Sequence, residues 1–196
     1  MRYWLLVVLL LSAASALASD PFYARSAVYH VQIDDGRVMK YGTGILIDRD
    51  KILTNCHVLN LAGGRFTVTH GQTGATYQPK LYYSLGNYDA CVLKGYFPDG
   101  NPVPIADKFT LGQDVWFYGF PAGMSADGHG PILRTINTDQ GTVIEAAAYC
   151  KPGSSGGPLF NAAGELVGLN YATRTLNNQA FCLSIPAFAL RGFIRP

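Results

Sequence analysis

The feature of this sequence that most limits its possible folds is a long series of short apolar or alternating stretches, separated by turn residues and lacking helical periodicity. The chain of 196 residues contains 22 glycines, 11 prolines and 12 tyrosines. Glycine and proline suit tight turns, whereas tyrosine suits strands. The pattern and the composition together predict an all-β fold.

Twelve stretches are predicted to be strands, six on each side of the turn cluster Pro98–Pro102. The first group is Ala27–Ile33, Tyr41–Ile47, Lys51–Leu53, Arg65–Thr69, Thr76–Leu81 and Cys91–Tyr96. The second group is Asp114–Tyr118, Pro131–Thr138, Gly141–Ala148, Leu159–Phe160, Glu165–Tyr171 and Ala180–Ile185. Only Pro186–Phe193 suggests a short helix. We therefore expect two antiparallel six-stranded β-barrels, in residues 19–105 and 106–196, with a binding cleft between them.

The first 18 residues have the features of a secretory signal peptide. Arg2 precedes an apolar run from Trp4 to Leu11, and the small residues Ala16-Leu17-Ala18 follow. The apolar run is shorter than a membrane-spanning helix requires. We expect cleavage after Ala18 and export to the periplasm or the medium, with an uncleaved membrane anchor as the alternative.

The charge and the cysteines limit the partners of an exported chain. The formal net charge is +2 and no basic run occurs, so nucleic acid is not an expected partner, and neither is a membrane once the signal is removed. Four cysteines in an oxidising compartment predict two disulfides. A zinc site is the alternative, but the spacings C-x-x-C and H-x-x-x-H are absent. We expect no metal and no cofactor.

One segment, Lys151–Phe160, places Ser155 among glycines just before an apolar strand, as a nucleophilic serine is placed. A serine hydroxyl needs a base to take its proton and amide donors to stabilise the oxyanion that it creates. His57 and Asp89 precede Ser155 in the order that suits a His-Asp-Ser triad. Singly, each would be an ordinary core or turn residue, but the order and the flanking residues favour catalysis. The other histidines, His30, His70 and His129, lack such flanks.

These motifs resemble the chymotrypsin-fold (trypsin-like) serine proteases, in the compact bacterial form of the high-temperature-requirement group. The resemblance extends from Tyr41 to Pro186 and includes Gly42–Ile47 and Leu111–Val115. It implies that Ser155 is the nucleophile, that His57 acts first as general base and then as general acid, and that Asp89 orients His57. It also implies that the N–H groups of Gly153 and Ser155 form the oxyanion hole.

The resemblance also carries expectations about disulfides and specificity. It implies the pairs Cys56–Cys91 and Cys150–Cys182, although four cysteines allow three pairings. It implies that the pocket for the residue before the scissile bond is lined by Tyr149, Cys150, Leu169, Asn170, Tyr171 and Phe181. These residues include no carboxylate to pair with a buried cation, so cleavage after arginine or lysine is not expected. Tyr149 is expected to limit the pocket to small or moderate apolar residues.

Departures from the family pattern carry further expectations. Ser154 stands where trypsins have the aspartate that pairs with a new N-terminus, and no Ile-Val-Gly-Gly start is present. We therefore expect activity after signal removal without an activation cleavage. No sequence follows Phe193 for a PDZ module, so a catalytic domain by itself is expected. The hypotheses for function are an exported serine endopeptidase, a binding protein that keeps the fold without catalysis, and an esterase or a protease that processes a single partner.

Overall fold

The first half of the chain forms one antiparallel sheet. The computed structural model describes residues 20–34, 36–59, 65–139 and 141–194, so the predicted signal peptide lies outside the described residues. The sheet has seven strands in the order β5-β4-β1-β2-β3-β7-β6. Their bounds are β1 (Val28–Asp34), β2 (Met39–Asp48), β3 (Lys51–Thr54), β4 (Arg65–His70), β5 (Thr76–Tyr77), β6 (Lys80–Ser84) and β7 (Cys91–Lys94).

The second half forms a closed six-stranded barrel in the order β10-β13-β12-β11-β8-β9. Its strands are β8 (Asp114–Gly119), β9 (Ala126–Thr138), β10 (Gly141–Ala146), β11 (Pro158–Phe160), β12 (Leu166–Leu176) and β13 (Gln179–Pro186). The predicted all-β fold with two barrel-like halves is confirmed. The domain boundary between residues 105 and 106 stays a prediction.

The seventh strand of the first sheet comes from a predicted strand that the structure divides. Thr76–Leu81 was expected to be one strand, but β5 ends at Tyr77 and β6 begins at Lys80. Pro79 lies between them and has no N–H to donate to a neighbouring strand. The sheet therefore has seven strands rather than six.

The two halves share an apolar interface. Alternate residues of β8 point to opposite faces, as strand geometry requires. Trp116 and Tyr118 belong to the larger apolar cluster, which contains the core of the first sheet, whereas Val115 and Phe117 fill the interior of the second barrel. The larger cluster also includes residues of α2 (Ala187–Ile194). The halves are therefore joined by a continuous core along a face of the barrel.

Helical structure is limited to short segments. 3₁₀ helices cover Phe22–Ala27 and Pro121–Gly123, α1 covers Cys56–Leu59, and α2 lies close to the predicted helix Pro186–Phe193. Within the described ranges, none of the helices has the length and apolar character needed to cross a membrane. The short helix α1 matters most for the site because it carries His57.

Candidate active site

His57 and Asp89 are brought together by neighbouring strands of the first sheet. Strand β3 leads through Asn55 into α1, and β7 begins just after Asp89. Asp89 Oδ1 accepts a hydrogen bond from the His57 backbone N–H at 2.9 Å, and Asp89 Oδ2 contacts His57 Nδ1. The buried Asn55 donates from Nδ2 to the Asp89 carbonyl at 2.6 Å. These contacts hold the imidazole with Nδ1 toward the carboxylate, which leaves Nε2 to accept a proton.

The Asp89 carboxylate is adapted to remain ionised. Its side chain is 18% exposed, whereas the His57 side chain is 49% exposed. Burial by itself would raise the pKa of Asp89, but hydrogen bonds from His57 and Cys56 and the nearby imidazole outweigh burial. The pKa of Asp89 therefore lies below its usual range. The negative charge is available to stabilise a protonated His57.

Ser155 lies in the second of two consecutive tight turns, which together we call the Ser155 loop (residues 151–157). Ser154 N–H donates to the Lys151 carbonyl at 2.9 Å, and Gly157 N–H donates to the Ser154 carbonyl at 3.0 Å. The third residue of each turn is a glycine with positive φ, +93° at Gly153 and +81° at Gly156. This geometry defines type II turns, in which the third position favours glycine. The glycines around Ser155 are therefore conformational requirements rather than signs of a linker.

Two backbone amides of this loop have no acceptor. Across the described part of the chain, the N–H groups of Gly153 and Ser155 take part in no hydrogen bond. Both residues are half-buried, and their two N–H groups lie only two residues apart in the chain. An oxyanion hole requires such a pair of free donors.

Thr43 of β2 connects the first sheet to the Ser155 loop. The fully buried Thr43 donates its backbone N–H to the Ser155 carbonyl at 2.8 Å. Its hydroxyl accepts from Phe120 N–H at 3.0 Å, and its carbonyl accepts from the Thr54 hydroxyl at 2.7 Å. An added Cβ on Gly156 would lie 2.0 Å from the Thr43 carbonyl oxygen. The position of Ser155 therefore depends on contact between the two halves.

The Ser155 hydroxyl is directed to a β-bulge. On β12 the register shifts between Asn170 and Ala172, so that Tyr171 is an extra residue opposite β13. Ser155 Oγ donates to the Tyr171 carbonyl oxygen at 3.4 Å. Among the described hydrogen bonds there is none between Ser155 Oγ and His57. The structure thus joins His57 with Asp89 directly, but not Ser155 with His57.

The residues predicted to line the specificity pocket differ in how much of their surface is exposed. Cys150, Leu169 and Asn170 have no exposed surface. Asn170 donates from Nδ2 to the Ser154 carbonyl at 3.2 Å, so it supports the Ser155 loop from behind. These three side chains expose no surface to a substrate in this structure, and their role in lining the pocket stays a prediction.

The other three residues of that prediction retain some exposure. Tyr149 is 51% exposed, with the Lys151 ammonium 4.7 Å from its ring centroid. Tyr171 is half-buried. Phe181 is 7% exposed, and the Arg174 guanidinium lies 4.9 Å from its ring centroid. Contact of Tyr149, Tyr171 and Phe181 with substrate stays a prediction.

The cysteines pair as the resemblance implied, Cys56 with Cys91 and Cys150 with Cys182, each with a Cα–Cα distance of 5.0 Å. The first disulfide joins the residues next to His57 and just after Asp89. The second joins the residue before the Ser155 loop to β13. Within the described ranges, no group of three or more His, Cys, Asp or Glu side chains is arranged to hold a metal ion.

Sequence reasoning missed the roles of Thr43 and Asn55. Thr43 stands between Gly42 and Gly44 in the predicted strand Tyr41–Ile47, which has no charged residue, and Asn55 directly precedes Cys56. A hydroxyl or amide side chain inside an apolar segment indicates a buried hydrogen bond. That signal could have identified both residues, but their partners are distant in sequence.

Comparison with known proteins gives a consistent result. Residues 42–169 match the family described as the trypsin-like peptidase domain. Protease Do-like 1, chloroplastic, of Arabidopsis thaliana is 28% identical over 169 residues, which cover 78% of this chain and 38% of that protein. Serine protease Do-like HtrB of Bacillus subtilis is 33% identical over 149 residues, 65% of this chain and 32% of that protein. The chain spans less than half the length of these relatives.

A solved structure is similar over most of the chain. The serine endoprotease from Yersinia pestis superposes with a TM-score of 0.77 at 27% sequence identity. The alignment covers 88% of this chain and 62% of that protein. The similarity therefore includes both halves of the fold.

Proposed function

The chain belongs to the family of trypsin-like peptidase domains, and from this premise we propose that it is a serine endopeptidase with the triad His57, Asp89 and Ser155. The observation that carries the proposal is the pair of unused amides at Gly153 and Ser155, beside a hydroxyl that sits on a glycine-bounded turn. His57, which Asp89 contacts and orients, is the base that this hydroxyl needs.

In the proposed reaction, Ser155 Oγ attacks the carbonyl carbon of the scissile peptide bond while its proton passes to His57 Nε2. The carbonyl oxygen becomes an oxyanion that accepts hydrogen bonds from the amides of Gly153 and Ser155. The C–N bond then breaks, and His57 gives its proton to the leaving amine. Water repeats these steps on the acyl ester, which releases the carboxylic acid and restores Ser155.

The reaction requires the Ser155 hydroxyl to turn from the Tyr171 carbonyl toward His57. Hydrogen bonds between a nucleophile and its base are often long or absent before substrate binds. We propose that substrate binding produces this turn, because a peptide backbone N–H can replace the serine as donor to the Tyr171 carbonyl. The Tyr171 bulge would then serve the substrate as well as the resting enzyme.

The proposed substrates are proteins or peptides with small or moderate apolar residues before the scissile bond. The exposed Tyr149 and the half-buried Tyr171 offer aromatic surface near the Ser155 loop. A further surface pocket beside His57 is lined by Cys56, Leu59, Leu81, Ser84 and Cys91. None of these residues carries a carboxylate to pair with arginine or lysine.

We further propose that the protein is exported after cleavage of residues 1–18. The two disulfides support this location because disulfides persist in oxidising compartments. An intact mass of the exported chain would locate the cleavage site. A mass that includes residues 1–18 would contradict the proposal.

A binding protein without catalysis is the second candidate. The observation in its favour is that Ser155 Oγ donates to Tyr171 and not to His57. The two candidates differ in one measurable property, because only a catalytic site reacts covalently with a fluorophosphonate.

The test is the mass of the folded protein before and after treatment with a fluorophosphonate probe. A single adduct on the wild type, absent from Ser155→Ala and strongly reduced in His57→Ala, would support the endopeptidase. No adduct on a folded wild type with both disulfides would favour the binding protein. Rates on matched peptide and ester substrates would then separate an endopeptidase from an esterase.

A further inference from the structure

We infer that the hydroxyl of Ser154 is a positioning group that holds the oxyanion donor Gly153 in its working orientation without any ion pair. The inference rests on the proposed function of the Ser155 loop. It assigns a task to a side chain that is next to the nucleophile but does not take part in the chemistry.

Ser154 is fully buried, and its hydroxyl, N–H and carbonyl each take part in at least one hydrogen bond. Its Oγ accepts a hydrogen bond from the Lys151 backbone N–H at 3.0 Å, while its own N–H donates to the Lys151 carbonyl at 2.9 Å. Its carbonyl accepts from Gly157 N–H at 3.0 Å and from Asn170 Nδ2 at 3.2 Å. Ser154 therefore belongs to both turns of the loop and is anchored to β12.

The turn from Lys151 to Ser154 determines where the Gly153 N–H points. Pro152 holds φ near −65°, and Gly153 has φ +93°, so the turn is type II. Types I and II differ chiefly in the orientation of the central peptide, which here contains the Gly153 N–H. Glycine at the third position permits either type. Another interaction must therefore select the orientation of the Gly153 N–H.

The reciprocal hydrogen bonds between Lys151 and Ser154 hold both ends of the turn, so that the turn keeps the conformation in which its central peptide is found. With both bonds present, the ends of the turn are held to each other and, through the Ser154 carbonyl, to Asn170. Without the hydroxyl, the Lys151 N–H loses its acceptor. A rearrangement of the turn that gives this N–H another acceptor then becomes favourable. Such a rearrangement moves the central peptide and with it the Gly153 N–H.

The arrangement is local and uncharged. The hydroxyl and its donor are three residues apart, so the contact needs no group from elsewhere in the chain. A carboxylate buried at this position would require a cation to pair with it. Serine avoids that requirement, and the loop reaches its working geometry on folding alone.

The experiment compares Ser154→Ala with a matched control, Ser184→Ala. Ser184 is also fully buried in the second barrel, but its hydroxyl has no hydrogen-bond partner. The second-order rate of fluorophosphonate labelling should fall about tenfold or more in S154A, because losing an oxyanion donor costs about 10²-fold and here the donor is only displaced. S184A should react at the wild-type rate, and Ser154→Thr, which keeps the hydroxyl, should recover most of the S154A loss.

A kinetic comparison separates positioning from general damage. On an ester substrate, S154A should lower kcat with little change in KM, because the oxyanion donors act only in the transition state. The thermal midpoints of S154A and S184A should be measured beside the rates. Equal rates for S154A and wild type, or equal losses in both alanine variants, would overturn the inference.

Amide hydrogen exchange tests the turn independently of activity. The Lys151 amide should exchange faster in S154A than in the wild type and S184A, because its acceptor is gone. If the wild type is not labelled by the probe, the proposed catalysis fails, and the inferred role fails with it. If the wild type is labelled but Lys151 exchange is unchanged in S154A, the inference alone is wrong.

Discussion

At the scale of single residues, His57 and Asp89 show how a contact between side chains distant in sequence creates chemistry. Asp89 binds both the ring and the backbone N–H of His57. The carboxylate therefore orients the imidazole and also holds the segment that carries it. Burial opposes ionisation of Asp89, but the bonds from His57 keep the pKa of Asp89 low.

Replacing Asp89 with asparagine should lower kcat by about 10³- to 10⁴-fold, because an amide can hold the imidazole in the wrong tautomer. Steady-state kinetics with a peptide substrate would measure the loss, and circular dichroism would report the fold. The control is Asp50→Asn, which removes an exposed contact with Lys94 at 3.4 Å and should leave kcat unchanged. Similar kcat values for D89N and wild type would exclude Asp89 from the triad.

Glu145 is a second residue whose charge depends on the fold. The side chain is 1% exposed and contacts Arg134 and Arg174. Burial acts to raise the pKa of Glu145, but the hydrogen bonds from the two arginines outweigh it and lower the pKa. The ionised Glu145 carboxylate therefore stabilises the fold fully at pH values above the ordinary glutamate pKa of about 4.3. This stabilisation is lost as the pH falls through the lower pKa that Glu145 has in the folded protein.

Glu145→Gln should reduce the free energy of unfolding by about 1–3 kcal/mol at pH 7, since two charged hydrogen bonds are weakened. The difference from the wild type should shrink as pH falls below about 4, because the wild-type carboxylate is then protonated as well. Urea unfolding at several pH values would measure this trend. A difference that stays constant down to pH 2 would contradict the assigned charge.

At the scale of elements, two irregular segments build the site on regular strands. The Ser155 loop turns twice within seven residues, and the bulge at Tyr171 supplies the carbonyl that accepts from the Ser155 hydroxyl. Regular strands cannot present such groups, because their N–H and C=O groups pair with neighbours. The strands give the site rigidity, whereas the irregular segments give it polar groups.

The turn at Gly156 should tolerate no side chain. Gly156→Ala should destabilise the protein by about 2 kcal/mol or more, because φ is +81° and the added Cβ would lie 2.0 Å from the Thr43 carbonyl oxygen. Gly74→Ala is the matched control, with φ +74° and no atom within 4 Å of the added Cβ. That variant should lose only about 1–2 kcal/mol, the cost of the left-handed conformation alone. Equal unfolding free energies for the two variants would show that crowding at Gly156 is unimportant.

At the scale of the whole molecule, the candidate site depends on how the two halves pack. His57 and Asp89 belong to the first sheet, Ser155 belongs to the second barrel, and Thr43 bonds across the junction. An apolar cluster continues from the first sheet to one face of the barrel. Near the N-terminal end of the described chain, the Asp20 carboxylate contacts the Tyr118 hydroxyl of β8. These contacts favour unfolding of the two halves in one transition.

Thr43→Val should lower the free energy of unfolding by about 1–3 kcal/mol, because Phe120 N–H loses its acceptor while the shape of the side chain is kept. The backbone hydrogen bond to Ser155 remains, so the fold should persist with a single unfolding transition. Thr43→Ser keeps the hydroxyl and should be closer to the wild type. Calorimetry would measure both variants, and two separate transitions in the wild type would contradict a shared core.

The sequence by itself determined the all-β class, most strand positions and the order of His57, Asp89 and Ser155. These features depend on apolar alternation, turn residues and short motifs, all of which involve residues close together in the chain. The prediction of strand bounds was wrong at Pro79, which divides the predicted strand Thr76–Leu81 in two. The disulfide pairing followed from a resemblance, since cysteine positions alone allow three pairings.

Only the tertiary structure decided which groups meet. The contact of Thr43 with Ser155, the bulge at Tyr171 and the burial of Cys150, Leu169 and Asn170 depend on registers and packing between segments far apart in the chain. A pattern with a period of two residues gives the face of a strand but not its partner or its irregularities. The chemical groups of the candidate site are therefore encoded locally, whereas their geometry is a property of the packed halves.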